Sequence, residues 1–148
     1  MIELRDATDS DLELILAWRN NPLIWQGFYT QRKPITWEEH FSWWRSRRNW
    51  HEFIIVYDHR DVGAVTLGQL DHWSPELGFA LGEVSLWGKG IGKEAVRLAC
   101  EWLIKKNYKY THTTVIKTNE RSIRLLKSLG FKYLGEAREG EIWLDKKL

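Results

Sequence analysis

The sequence predicts an α+β protein built on one mixed, mostly antiparallel sheet of about seven strands flanked by about four helices. Three features of the chain predict it. Between Phe53 and Leu81, short β-rich runs follow one another with turn residues between them, the pattern of consecutive antiparallel strands. A long amphipathic segment, Ile91 to Lys106, then leads to the β-rich run Tyr110 to Ile116, a connection that makes the strands on either side of it parallel. A second amphipathic segment, Asn119 to Leu129, is followed by two further β-rich runs that turn at Glu139-Gly140. The chain of 148 residues fits a single domain over residues 1–148, large enough to bury a core.

Each element has its own signal. Ile2 to Ala7 alternates apolar and polar residues, as a half-buried strand does. Thr8-Asp9-Ser10-Asp11 supplies a cap and acidic first-turn charges for a helix from about Asp9 to Asn20, with Leu12, Ile15 and Leu16 as its apolar stripe. Asn20-Asn21-Pro22 stops it, since the residue before proline is pushed out of the helical region. Gln26 to Lys33, with Phe28 and Tyr29, has no periodicity and predicts a surface loop. Thr36-Trp37-Glu38-Glu39 matches a capping box and opens a helix to about Arg48, with Phe41 and Trp44 expected on its buried face. Phe53 to Tyr57 and Val62 to Leu70 flank the turn Asp58-His59-Arg60-Asp61 as a hairpin, and Glu76 to Leu81 adds a third strand. Gly78 and Gly82 in and beside that strand predict a bulge or a close backbone approach. The helix beginning at Ile91 carries an exposed stripe of Lys93, Arg97, Glu101 and Lys105. Gly130 is a left-handed residue just past the last helix, in which Ile123, Leu126 and Leu129 face inward.

Composition excludes several classes of function. A formal net charge of +2 is too small to argue for nucleic acid. Arg45, Arg47 and Arg48 do interleave with Trp43, Trp44 and Trp50, and the simpler reading is a solvated helix face with its tryptophans turned inward. A single cysteine, Cys100, rules out an internal disulfide and fits a reducing compartment. No apolar run reaches the roughly 20 residues that cross a bilayer, and Met1-Ile2-Glu3-Leu4-Arg5 is no signal peptide. The expectation is a cytoplasmic protein, monomeric or homodimeric, with no nucleic acid, membrane or metal as partner.

The chemistry centres on Leu86-Trp87-Gly88-Lys89-Gly90-Ile91-Gly92-Lys93-Glu94-Ala95, glycines at alternate positions between a strand and a helix. Such a loop aims unpaired N–H groups at one point, where the helix dipole favours an anion, most naturally phosphate or diphosphate. A P-loop fails at two positions, because Trp87 stands at its first glycine and Glu94 at its Ser/Thr. A dinucleotide fingerprint fails because Lys93 stands where its third glycine belongs.

Gly90 and Gly92 match the [QR]-x-x-G-x-[GA] loop of the GNAT N-acetyltransferases, and the chain resembles that superfamily. Trp87 departs from the leading Gln/Arg, but the form WGKGxGxEA is similar to the ribosomal-protein-type branch. Asn119-x-x-Ser122-x-x-x-Leu126-x-x-x-Gly130-Phe131 resembles the second cofactor segment of the family, and the order of elements is also the GNAT order. The resemblance covers nearly the whole chain and implies the acyl-CoA N-acyltransferase fold, with acetyl-CoA as acetyl donor. It places the diphosphate on Gly88, Lys89, Gly90, Ile91, Gly92 and Lys93, pantetheine along the main chain of Leu81 and Gly82, and Asn119 and Ser122 at the pantetheine or acetyl end.

Direct attack by an amine needs a base, since an ammonium has no lone pair. Glu76 and Glu83, at the two ends of the strand before the loop, are the candidates, with His72 as a substitute. Many members use a tyrosine to protonate the leaving thiolate; here Leu126 stands in its place, so that role is empty or filled from elsewhere, with Tyr133 as a weak substitute. The acceptor side of the resemblance falls on Arg19, Asn20, Trp37 and His40. With the tryptophans Trp25, Trp37, Trp43, Trp44 and Trp50, these could wall a site for an amine, unless they fill the core. The segments Trp18-Arg19-Asn20 and Ile35 to His40 resemble acetyltransferases of nucleotide-linked amino sugars and, less closely, ribosomal-protein N-terminal acetyltransferases. The acceptor is thus expected to be a small-molecule or peptide amine. Two rival readings stand beside this one: a non-catalytic acyl-CoA sensor, favoured by Leu126, and a nucleic-acid surface on the basic-aromatic segment.

Overall fold

The computed structural model describes residues 1–25 and 33–148. Residues 26–32, which carry the expected aromatic loop, and the side chain of Trp25 lie outside that description.

The described strands are β1 (Ile2–Asp6), β2 (His51–Tyr57), β3 (Arg60–Gly68), β4 (Glu76–Leu81), β5 (Tyr110–Ile116), β6 (Lys132–Glu136) and β7 (Glu141–Lys147). They form one seven-stranded sheet in the order β1-β2-β3-β4-β5-β7-β6. The helices are α1 (Leu12–Arg19), α2 (Pro22–Trp25), α3 (Trp37–Ser46), α4 (Ile91–Lys105) and α5 (Glu120–Ser128). An α-helix beyond expectation among the described residues is α2. Proline does end α1, but its missing N–H and fixed φ suit the first position of a helix, and Pro22 opens one.

Local chemistry sets these boundaries. Thr36 caps α3 by accepting from the Glu39 amide at 3.2 Å, while Glu39 accepts from the Thr36 amide at 3.2 Å. Asp58 and His59 turn the β2–β3 hairpin with φ of 50° and 66°, so the strands reach closer to the turn than the polar residues suggest. Arg97 bridges Glu94 and Glu101 on the outer face of α4.

The sheet is covered on both faces. On one, Phe53, Ile55, Val65, Leu67, Leu77, Val115 and Leu144 pack against Ile91, Ala95, Ala99 and Leu103 of α4 and Leu126 of α5. On the other, Ile54 meets Ile15 and Trp18 of α1, with Trp44 of α3 alongside. The buried residue of α3 is His40, at 0% exposure, and Phe41 lies on the surface at 39%, contrary to the periodic pattern. A histidine counts as polar in that pattern, yet it can be buried once both ring nitrogens find partners.

The β3–β4 register runs unbroken from Gly63↔Leu81 to Gly68↔Glu76, so Gly78 marks no bulge; just beyond it the Gly82 and Glu83 amides both donate to the Val62 carbonyl, at 2.7 and 3.3 Å, two residues opposite one as in a bulge. Both glycines also mark close approach. A Cβ on Gly78 would come within 2.8 Å of Thr66 Oγ1, and one on Gly82 would enter the Trp18 indole. Gly82→Ala must push that ring off α1's packing. Overpacking of this kind costs about 1–3 kcal/mol, and the expected result is a melting temperature lower by roughly 3–10 °C, read by thermal unfolding.

Between β4 and β5 the sheet comes apart. They are parallel and paired only at Glu76↔His112, after which their C-terminal ends, Leu81 and Ile116, diverge.

Candidate functional site

The divergence opens a cavity of about 410 Å³. Its floor is Phe79, Ala80 and Leu81 of β4 with Ile116 of β5; the loop from Leu86 to Gly92 forms one wall, and Asn119, Arg121, Ser122 and Leu125 the other, with Leu23 and Ile24 of α2 at its rim. Gly88 and Gly90 have φ of 80° and 81°, the left-handed region that side chains with a Cβ enter at a cost. Nothing in the protein lies within 4 Å of where a Cβ on either would stand, so those positions border open space. Gly90 caps α4; its carbonyl takes the Glu94 amide at 3.1 Å, leaving the first-turn amides of Ile91, Gly92 and Lys93 without helical partners. Lys89 and Lys93 are exposed, and their side chains do not line the cavity.

The main chain of β4 offers a second set of groups. The Gly82 amide donates to the Val62 carbonyl at 2.7 Å and is therefore spent inside the sheet, a correction to its expected pairing with a ligand. In an antiparallel pair successive residues point their polar groups to opposite sides. The amides of Phe79 and Leu81 thus face away from β3, toward the gap. The Leu81 carbonyl on that side is already taken, by the Trp87 indole N–H at 2.9 Å. Asn119 caps α5 by accepting from the Ser122 amide at 3.2 Å, which fixes both residues at the edge of the gap.

A second cavity, of about 230 Å³, shares Phe79, Ile116, Asn119 and Ser122 with the first. It is polar where the first is apolar. Glu76, Glu141 and Arg138 line it, with Trp50, Thr66, Thr113 and Thr114. Glu141 is buried and accepts from Arg138 Nε at 2.8 Å. Glu76 Oε2 lies 4.0 Å from His112 Nε2, whose Nδ1 is 3.1 Å from Ser74 Oγ. Glu83 is exposed before the turn Val84–Leu86 and lines neither cavity, so of the two expected bases the structure brings only Glu76 to the gap. Tyr133 is 56% exposed on β6 and away from both cavities, while Leu126, buried, presents no hydroxyl to the second. His72 accepts from the Ser74 amide at 3.2 Å and closes its own loop. Burial pushes the Cys100 thiol up to about 11, which leaves it inert as a nucleophile.

The expected acceptor residues occupy another place. The Asn20 side chain clamps residue 35, accepting from the Ile35 amide at 2.6 Å and donating to its carbonyl at 2.9 Å. His40 Nε2 lies 2.9 Å from the Leu12 carbonyl and so carries the proton, leaving Nδ1 to accept from Arg19 Nη1 at 3.0 Å. Burial, joined by the nearby Arg19 and Arg47 charges, lowers the His40 pKa and keeps the ring neutral. Arg19 also stacks on Trp43 at 4.2 Å. Arg47 is no solvated cation; it lies 4.0 Å from the Trp44 ring and 4.7 Å from that of Trp43, and donates to Glu52 at 2.7 Å. Desolvation still pushes the buried Glu52 carboxyl up to about 7. Trp37 is exposed and stacks on Phe41. Arg19, Asn20, Trp37 and His40 line neither cavity; Arg19 and His40 tie α1 to α3, and Asn20 ties the end of α1 to residue 35.

Sequence reasoning missed Arg121, His112, Arg138 and Glu141. His112 carried a signal, since it lies two residues into the strand expected beside β4. Glu141 carried none, because nothing in the chain says that β7 rather than β6 lies next to β5. Among the described residues, no group of three or more His, Cys, Asp or Glu side chains stands together to hold a metal ion, and no helix is long and apolar enough to cross a membrane.

The model of the acetyltransferase (GNAT) domain matches residues 2–132. An uncharacterised protein of Methanocaldococcus jannaschii is 47% identical over 97% of this chain, which spans 30% of that protein's length. A crystal structure of a domain from the same organism matches with a TM-score of 0.97 at 45% identity, over 100% of this chain and 99% of that one. The acetyltransferase PseH of Campylobacter jejuni is 26% identical over 94% of this chain and 90% of its own. The aminoglycoside acetyltransferase AAC(6′)-Ib, solved with acetyl-CoA and paromomycin, shares the fold with a TM-score of 0.87 at 19% identity, over 99% of this chain and 93% of its own.

Proposed function

The chain belongs to the GNAT acetyltransferase family, and we propose that residues 1–148 act as one catalytic domain that moves the acetyl group of acetyl-CoA to the nitrogen of a small primary amine. One observation carries this reading: a long apolar cavity and a short polar one meet where β4 and β5 part, at Phe79, Ile116, Asn119 and Ser122. The first suits the donor. The amides of Ile91, Gly92 and Lys93 hold its diphosphate, and the inward amide of Leu81 pairs with pantetheine as a neighbouring strand would. The second suits the acceptor.

The Phe79 amide faces the gap where the two cavities meet and donates to the thioester oxygen as negative charge builds on it, an oxyanion contact fixed in advance by the strand. Glu76 accepts the proton that the amine must lose. The C–N bond forms first, giving a tetrahedral intermediate with its charge on oxygen; as that charge returns to the carbonyl the C–S bond breaks, and CoA leaves as its thiolate. Leu126 gives that sulfur no proton. A thiol with a pKa near that of cysteine leaves without one.

The similarity to PseH supports an amino sugar as acceptor, nucleotide-linked or free, and the Glu76 carboxylate suits a group that arrives as an ammonium. The test is free-thiol release from acetyl-CoA across nucleotide-linked amino sugars, free amino sugars, polyamines and N-terminal peptides. Turnover with a sugar amine is the expected result. Turnover with peptides alone would replace the acceptor, and tight CoA binding with no turnover on any amine would make the protein a sensor.

A further inference from the structure

The donor cavity has a cation that does not belong to its glycine loop. Arg121 lies in the first turn of α5, across the cavity from the loop, and lines the space beside Trp87, Gly88 and Gly90. Its guanidinium carbon stands 5.1 Å from the centroid of the Trp87 ring, an exposed cation–π contact worth about 0.5–1 kcal/mol. Its neighbours on the helix are paired, Arg124 with Glu120 at 3.6 Å, but among the described residues no carboxylate pairs with Arg121. Trp87 is itself held, through its indole N–H, to the Leu81 carbonyl. The ring is thus a fixed platform between the end of β4 and the start of the loop, and it carries a guanidinium at the rim of the cavity.

We propose that Arg121, held on the face of Trp87, binds the diphosphate of the donor from the side opposite the α4 amides. The assignment rests on the reading of the larger cavity as the acetyl-CoA site. Backbone amides supply hydrogen bonds and partial charge but no full positive charge. Lys89 and Lys93, the loop's own cations, stand outside the cavity lining. A guanidinium matches two phosphate oxygens at once, and Arg121 is placed where the loop leaves the anion uncompensated. With an anion present, the stacked position over Trp87 holds the guanidinium ready and reduces the side-chain freedom lost on binding.

The experiment compares the affinities of wild type and Arg121→Gln for CoA, 3′-dephospho-CoA and pantetheine. A hydrogen-bonded ion pair of this kind is worth roughly 10- to 100-fold in affinity. Arg121→Gln is expected to lose that factor equally for CoA and 3′-dephospho-CoA and nothing for pantetheine, which has no phosphate. Trp87→Leu, which removes the platform, is expected to weaken the same two ligands. Equal loss on all three ligands would make Arg121 a structural residue, a loss confined to CoA would move it to the 3′-phosphate, and no loss would remove it from the site. If wild type itself binds neither CoA nor 3′-dephospho-CoA, the donor reading falls; if it binds both and Arg121→Gln matches it, only the Arg121 assignment falls.

Discussion

Gly90→Val will fold and lose CoA binding, by 100-fold or more on the order of the loop's combined amide contacts. The residue has φ of 81° and ψ of 4°, and a β-branched side chain there is strained by about 1–2 kcal/mol. No protein atom lies within 4 Å of the new Cβ, so the core is untouched, and the melting temperature falls by only about 2–8 °C. The damage falls on the ligand. A backbone that relaxes out of the left-handed region turns the Ile91 and Gly92 amides away, and one that stays puts the isopropyl group into the cavity. Gly90→Asn separates the two effects, because asparagine tolerates the left-handed region: it should restore the melting temperature more than the affinity. Isothermal titration of CoA with thermal unfolding of each variant decides it, and wild-type affinity in Gly90→Val would remove the loop from the donor site.

Glu76→Gln will lower kcat by about 100-fold or more, the usual contribution of a positioned proton acceptor, with the affinity for CoA unchanged. Glu76 starts β4 at the single point where β4 and β5 are still paired, and its side chain reaches the polar cavity. Glutamine keeps the size and loses the basicity. Glu83→Gln is the control, because Glu83 is exposed and lines neither cavity; it should retain full activity. Steady-state kinetics on the best acceptor read both. A change of less than threefold in Glu76→Gln would leave the deprotonation to water or to another group.

Those two variants also mark what the chain discloses about itself. Gly90 was legible as a left-handed glycine opening a helix, because that turn is written locally as alternating glycines before an amphipathic run. The capping box at Thr36 and Glu39 and the left-handed Gly130 were legible for the same reason: each is satisfied within a few residues. Glu76 and Glu83 could not be told apart, since both flank one strand and only the parting of β4 from β5 decides which faces the gap. Arg19, Asn20 and His40 were expected on the acceptor side from the resemblance alone, which says nothing of their partners within the fold. Here they spend their hydrogen bonds on Leu12, Ile35 and one another. Glu141 was out of reach because its place depends on strand order, a property of long-range pairing that no local pattern encodes.

The parting of β4 and β5 leaves a protein with raw edges in its interior. Strand edges normally lie at the rim of a sheet, where charge or irregularity protects them from pairing with other chains. Here the Phe79 and Leu81 amides sit mid-sheet with water or a guest as their partner. A donor that lies along them closes the tear, so the Phe79 and Leu81 amide hydrogens exchange slowly only when the site is filled, while the alternate amides of β4 stay protected by β3. The unfilled form is the one most exposed to self-association, and a ligand bound along these amides would stabilise the fold by mass action.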